Sequence, residues 1–328
     1  MTVGIIVPTY NSAAFLSRAL ESIATQERLP NEVLLVDDGS TDDTVAISAA
    51  WAAQQPFTVR LLVNSTPHDA VAGRGPAAGR QTALHAATSD LIALLDHDDE
   101  MFPSHIRRTA GAMEHHAHVS LCFGDAYECF ADGNEHRLLT ESAIPTLPFD
   151  QGPDGVRIVR GPFVQAMVGG SRIATAANMW RRDLALAVGG FDVRAGTCDD
   201  WLFFVLLSMR GHVAYLPEPI ARKHAHGDNL SHARHRSRLS HNFFTAITLF
   251  LESSAAGSLS PAHRALLSAR REEIAQGMFY EASRSGLSAV RACEALLPGD
   301  FHPAWRDWLR GMLVTLGLFR SHTSAEQP

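Results

Sequence analysis

The sequence predicts an α/β protein, a mostly parallel sheet flanked by helices and followed by a helical extension. Three observations predict it. Short apolar runs alternate with helix-period segments over the first hundred residues, the pattern of βαβ units with right-handed crossovers. Some of those runs end abruptly in carboxylates, most clearly at Leu94-Leu95-Asp96-His97-Asp98-Asp99-Glu100. Beyond residue 225, helical segments follow one another with no strand signal between them.

In chain order, residues 2–7 are a β-rich run closed by Pro8-Thr9-Tyr10-Asn11, a loop signal. Ser12 can then cap a helix whose apolar positions, Phe15, Leu16, Ala19, Leu20 and Ile23, keep helical spacing. After Pro30-Asn31, residues 33–36 read as a buried strand ending in Asp37-Asp38-Gly39-Ser40. Asp42 is the expected cap of a helix reaching about Ala53, and residues 59–63 are a third strand. Gly73-Arg74-Gly75-Pro76-Ala77-Ala78-Gly79-Arg80 is a glycine-rich loop that leads into a small-residue helix over 82–88. It has the composition of a phosphate cradle but matches neither the P-loop nor the dinucleotide fingerprint.

Residues 91–95 form the next strand, Pro103 starts a helix, and 119–123 are a further strand that 127–130 extend. Regularity fades over 131–170, where glycine and proline recur; a loop this long inside a compact domain is usually functional or mobile. Residues 176–180 read as a short strand, followed by a helix and Gly189-Gly190-Phe191-Asp192. Cys198-Asp199-Asp200-Trp201 heads another helix, and 212–216 is a strand. Residues 222–241 hold five basic residues and five of the 17 histidines, after which 243–251, 261–280, 289–297 and 305–319 read as helices. The expected division is therefore 1–225 and 226–328.

Composition narrows the function. With 46% hydrophobic and 19% charged residues the chain is an ordinary globular protein. A net charge of −7 argues against nucleic-acid binding, which wants a basic footprint. Cys122, Cys129, Cys198 and Cys293 lack the spacing of a disulfide frame or zinc site and fit reduced thiols. Pro8 and Asn11 interrupt the apolar N-terminus, which does not read as a signal peptide. No stretch approaches the ~20 apolar residues of a membrane span. A cytoplasmic location is expected, with peripheral membrane contact and self-association through the C-terminal helices both left open.

Ligands of open α/β sheets collect outside the carboxyl ends of strands. Clustered carboxylates there repel one another, and a hard cation such as Mg²⁺ or Mn²⁺ compensates them best. The alternative for Asp96 to Glu100 is a helix N-cap with first-turn acids ahead of Pro103.

Four stretches stand in order along the chain: Val7-Pro8-Thr9-Tyr10-Asn11, Val36-Asp37-Asp38-Gly39-Ser40, Asp96-His97-Asp98-Asp99, and Gly189-Gly190-Phe191-Asp192 followed by Asp199-Asp200-Trp201. Together they resemble the family 2 glycosyltransferases, which have the GT-A fold and use nucleotide-sugar donors. The resemblance covers roughly residues 1 to 230.

It implies that Pro8, Thr9 and Tyr10, with Asp37 and Asp38, hold the nucleoside, usually a uridine. Asp38 can accept the imide N–H of uracil, and Tyr10 offers an aromatic face. A tight βα turn with solvent-facing acids is the plainer reading of Asp37-Asp38. Asp96-His97-Asp98 matches the family's DxD motif, which implies a divalent cation, Mn²⁺ or Mg²⁺, on the donor diphosphate. Asp98 would be its direct ligand, Asp96 would contact sugar or ribose hydroxyls beside it, and His226 would be a third ligand. Arg80 stands where the family places a phosphate-contacting arginine, though Gln81 departs from the familiar arginine-asparagine pair. Arg74 is a looser candidate, and Arg234, Arg236 and Arg238 could close over the diphosphate.

Asp200 matches the general base of the family's Glu-Asp motif, with Asp199 in place of the glutamate. The same position suits a helix N-cap. Trp201 could wall the acceptor side. The implied reaction is inverting, metal-assisted transfer to a glycan, lipid or small-molecule acceptor. A sugar nucleotidyltransferase would want a basic glycine-rich loop directly after the first strand, where Pro8-Thr9-Tyr10-Asn11 stands. A non-catalytic sugar-nucleotide binder is the third reading.

Overall fold

The computed structural model describes residues 1–64, 76–140, 142–227, 229–230, 232 and 235–319. The chain divides into two compact units, Met1–Arg234 and His235–Pro328.

The first unit opens with β1 (Val3–Thr9), α1 (Leu16–Ala24), β2 (Glu32–Asp37), α2 (Thr44–Ala52), β3 (Thr58–Val63), α3 (Ala77–Ala86) and β4 (Leu91–Leu94). These four strands pair in parallel in the order β3-β2-β1-β4. β1 and β4 are buried throughout, as their unbroken apolar runs require. β3 is the edge and is only half covered. Neither expected N-cap forms as read. Ser12 offers its carbonyl to Phe15 and Leu16, and α1 starts four residues later. The Asp42 carboxylate instead ties Thr44 to Ala13, joining the turns that precede α1 and α2.

The unit continues through β5 (Glu100–Met101), α4 (His105–His115), β6 (Val119–Phe130), β7 (Glu135–Arg137), β8 (Phe149–Gln151), β9 (Arg157–Val159) and α5 (Val164–Met167). It closes with β10 (Asn178–Arg181), α6 (Arg182–Ala187), α7 (Asp199–Ser208) and β11 (His212–Ala225). The sheet runs β3-β2-β1-β4-β10-β6-β11-β9-β8, with β5 on β11 and β7 on β6. β10 is antiparallel to both β4 and β6, so the sheet is mixed at its centre. The run 119–123 and its extension 127–130 form one twelve-residue strand, β6, and the irregular 131–170 stretch contributes three short strands.

β11 extends nine residues beyond the expected strand, to Ala225. That extension pairs with β5, Ala221 opposite Met101 and Arg222 opposite Glu100. The pairing carries the residues after Ala225 to the loop that follows β4. Trp180, Phe191 and Phe203 stack in the core behind α7.

The second unit holds α8 (Arg236–Glu252), α9 (Pro261–Ser283), α10 (Leu287–Leu296) and α11 (Trp305–Thr315). Ser260 caps α9 by accepting from the His263 amide, with Pro261 at the first helical position. Among the described residues no helix is long and apolar enough to cross a membrane.

Candidate active site

The site lies at the carboxyl ends of β1, β2 and β4. Asp38 follows β2, is almost fully buried, and accepts from the Asn64 side-chain amide at 2.9 Å. Its backbone N–H donates to Thr9. Asp37 turns the other way: one oxygen accepts from the Gly39 and Ser40 amides, closing a turn that needs Gly39 at φ +94°. Asn11, at φ +46°, accepts from the Thr41 amide on its side-chain oxygen and donates its own backbone N–H to the Ser40 hydroxyl. The loops after β1 and β2 therefore interlock, and Thr9, Tyr10 and Asp38 stand on a fixed frame.

α3 supplies the connection to the remaining acids. A Cβ added at Gly79 would lie 3.1 Å from both Asp38 oxygens, so the helix must be bare there. Arg80 is 3% exposed, and its guanidinium faces two carboxylates. Nη1 donates to both oxygens of Asp199 at 3.0 and 2.9 Å, and Nη2 donates to Asp96 at 2.7 Å. The Thr175 hydroxyl donates to the other Asp96 oxygen at 2.6 Å. Gln81 accepts from the Phe191 amide at 2.7 Å and donates to the Gly189 carbonyl at 3.1 Å. Gly79, Arg80 and Gln81 thus touch three separate site segments from one helical turn.

Two of these residues make contacts that the sequence reading did not name. Arg80, expected on a diphosphate, is spent inside the fold on Asp96 and Asp199. Asp96, expected on a cation or a sugar hydroxyl, has both oxygens engaged. Burial would raise the Asp96 carboxyl, but Arg80 and Thr175 outweigh it and hold the group below the usual carboxylate range. Asp199 is fully enclosed; burial lifts it to about 6 against the pull of Arg80, with the Asp200 charge adding to the rise.

Asp200 sits at the start of α7. Burial raises its carboxyl, opposed by Arg80, by its own bond from the Trp201 amide at 2.7 Å, and by Ser171. Trp201, expected against an acceptor, is buried and donates its indole N–H to Met167. It anchors α7 to α5.

The last acid cluster follows β4. Asp98 Oδ2 lies 3.0 Å from His226 Nε2 and accepts from the Asn229 amide at 3.0 Å. Phe15 stacks on the His226 ring at 4.4 Å and 17°. Asp99 is buried, accepts from the His224 amide at 3.0 Å, and is raised well above its ordinary value by burial and by the Asp98 and Asp96 charges. The resemblance calls for a divalent metal here. Among the described residues no group of three or more His, Cys, Asp or Glu side chains is set to hold one. Asp98 and His226 nonetheless offer a carboxylate oxygen and an imidazole nitrogen side by side. Two protein donors suit an ion whose other positions are filled by diphosphate oxygens and water.

Gly73, Arg74 and Arg234 lie outside the described residues, and Arg236 and Arg238 belong to the second unit. Thr175, Ser171 and Phe15 carried no sequence signal for the site, and Asn229 had a single clue, its place three residues after His226.

A family model, "Glycosyl transferase family 2", matches residues 4–172. An uncharacterised protein of Mycobacterium tuberculosis is 28% identical over 228 residues, 68% of this chain and 59% of that protein. The succinoglycan biosynthesis protein ExoO of Rhizobium meliloti is 33% identical over 143 residues, 44% of this chain and 38% of that one. The chain thus spans well under two thirds of these relatives' length. Staphylococcus aureus TarS 1–349, solved with UDP-GlcNAc, superposes with a TM-score of 0.64 at 18% identity, covering 92% of this chain and 83% of TarS. The mannosyltransferase PcManGT of Pyrobaculum calidifontis, solved with GDP-Man and Mn²⁺, gives 0.56 at 18% identity, covering 97% and 80%. The structural likeness fixes the fold as GT-A. The sequence match, which takes in more than half of the chain and both acidic segments after β2 and β4, fixes the lineage: the chain belongs to glycosyl transferase family 2.

Proposed function

We propose that this chain transfers a sugar from a nucleotide-diphosphate sugar, UDP-linked by first choice, to an acceptor hydroxyl with inversion. The observation that carries the reading is the Arg80 crosslink. It draws the acid segment after β4 and the acid pair heading α7, 119 residues away from Arg80, to one guanidinium. Donor chemistry and acceptor chemistry then have one address.

Asp38, Thr9 and Tyr10 bind and orient the nucleoside. Asp98 and His226 would hold the divalent ion, which when bound stabilises negative charge developing on the leaving diphosphate. Asp200 takes the proton from the acceptor hydroxyl as it attacks. Burial raises its carboxyl and so its basicity, while Arg80 and the Trp201 amide favour the carboxylate that a base must present. Asp199 does no proton transfer in this scheme. It and Asp96 keep Arg80 in place, and Arg80 in turn positions Asp200.

That one structural neighbour was solved with UDP-GlcNAc and another with GDP-Man and Mn²⁺ supports the donor class and the metal. The test is a thermal-shift panel of UDP-, GDP- and dTDP-sugars with and without Mn²⁺, followed by assay of nucleotide release. A Mn²⁺-dependent rise in Tm with one nucleotide class and slow turnover is the expected result. Stabilisation without any nucleotide release would make the chain a binder. Release of pyrophosphate from a nucleoside triphosphate and a sugar phosphate would make it a nucleotidyltransferase.

A further inference from the structure

The second unit has an outer face that water does not explain. α11 packs inward through Asp307 and Gly311; a Cβ at Gly311 would lie 3.1 Å from Val290, so α10 and α11 cross closely. On its other side Trp305, Leu309 and Met312 recur at helical spacing, and Leu316 continues the line at the C-cap. Gly317, at φ +71°, then turns the chain and brings Leu318 and Phe319 to the surface as well. All six side chains are between 40 and 71% exposed. They are six of the sixteen large exposed apolar residues described, gathered in fifteen positions, so this is a patch and not scatter.

Charge says what the patch fits. No carboxylate of α11 reaches its surface: Asp307 is buried, accepting from the Ala304 amide and from Arg310. Arg306 is exposed and lies over the Trp305 ring at 5.5 Å. The second unit carries ten arginines against eight acidic residues, net +2, while the first carries 18 basic and 27 acidic residues, net −9. An apolar helix face with an aromatic at one end, arginine at its rim and no exposed acid of its own helix matches an anionic bilayer surface. A second copy would have to bring the same arginine-rimmed face against its like.

We propose that the outer face of α11, with Leu318 and Phe319, docks on anionic lipid membrane, lying on it and not spanning it. This does not rest on the donor or metal assignments. The test is flotation of the full chain with phosphatidylcholine vesicles and with vesicles containing about one third phosphatidylglycerol. The chain should float with the anionic vesicles and less so as salt rises. A Leu309→Ser, Met312→Ser, Leu316→Ser variant changes exposed positions only and should keep the parent's Tm while losing roughly tenfold or more in vesicle affinity. Arg306→Glu should weaken binding to the anionic vesicles alone. Failure to float with either vesicle, or equal flotation of parent and triple variant, overturns the proposal. So does a dimer in sedimentation velocity that the triple substitution abolishes while no vesicle binding is seen; the face would then belong to a second copy.

Discussion

One residue, His97, separates Asp96 from Asp98, yet their surroundings are opposite in kind. Asp96 has one oxygen on the Arg80 guanidinium and the other on the Thr175 hydroxyl. Asp98 faces the Asn229 amide and the imidazole of His226. A carboxylate matched by a permanent cation is part of the frame, and removing its partner strands charge in the interior. A carboxylate held by an uncharged amide and a titratable ring can exchange those contacts for an arriving ion. The motif that reads as one acidic run is therefore two devices: a strut at its first member and a ligand position at its third.

The largest expected effect breaks the strut. Arg80→Met leaves Asp96 and the fully enclosed Asp199 without their cation, and should cost about 3–5 kcal/mol of stability, read as the urea midpoint. Its pH dependence sharpens the point. Asp199 has a folded value of about 6, above its ordinary one, so its ionisation works against the fold. That cost is absent near pH 4, grows as pH rises toward 6, and is complete above it. Asp96, held low, contributes stability that is lost only as pH falls below the ordinary carboxylate range. Buried histidines such as His105, held neutral, pull the other way over the same range but equally in parent and variant. The stability gap between the parent and Arg80→Met should therefore narrow from pH 6.5 to 4.5. A variant that unfolds at the same urea concentration as the parent at both pH values would remove the strut.

Next in size is the base. Asp200→Asn keeps the shape at the head of α7 and removes the proton acceptor, so kcat should fall roughly 10²–10⁴-fold. Donor binding, read as the Mn²⁺-dependent Tm rise, should stay within a degree or two of the parent. Transfer that survives would move the base elsewhere. Asp98→Ala should do the reverse, abolishing the metal-dependent part of the Tm rise. Its apo stability should change by less than about 1 kcal/mol, since only an exchangeable hydrogen-bond partner is lost. If Asp98→Ala destabilised the protein as much as Arg80→Met, the distinction between strut and ligand position would fail.

What was legible in the sequence follows from range. The apolar runs of β1, β2 and β4 and the acids at their tips are consecutive residues, so Asp38, Asp96 and Asp98 could be read directly. Asp199 and Asp200 stood out for the same reason. Most partners were not legible, because they arrive from far along the chain: Asp199 from 119 residues beyond Arg80 and Thr175 from 79 beyond Asp96. His226, 128 residues beyond Asp98, was paired with it only through the family resemblance. Arg80 illustrates the cost. Motif position gave it a phosphate, whereas two buried carboxylates claim it first. The strand β10 was read, at 176–180, but its antiparallel direction was not, since a four-residue run such as Asn178–Arg181 carries no signal of direction. His105 is a further case. It reads as one more histidine in a histidine-rich chain, yet it is fully buried, and desolvation lowers it to about 4, which fixes it as a neutral core residue.

The smallest expected effect tests whether the strut reaches past Arg80. Gln81 holds both the Gly189 carbonyl and the Phe191 amide, and it approaches Gly190 so closely that a Cβ there would sit 2.1 Å from its Oε1. Gly190, at φ +72°, belongs to the loop that leads into Asp199 and Asp200. Gln81→Leu keeps the bulk and deletes both bonds, leaving a backbone donor and a backbone acceptor unmatched, at a cost of about 1–2 kcal/mol. If that loop sets the angle of α7, kcat should drop about tenfold with donor binding intact, because small misplacements of a catalytic group are expensive. Gln81→Glu retains the acceptor for Phe191 and should recover part of the loss. A kcat that follows stability alone across the two variants would confine the strut to Arg80 and leave Gln81 as packing.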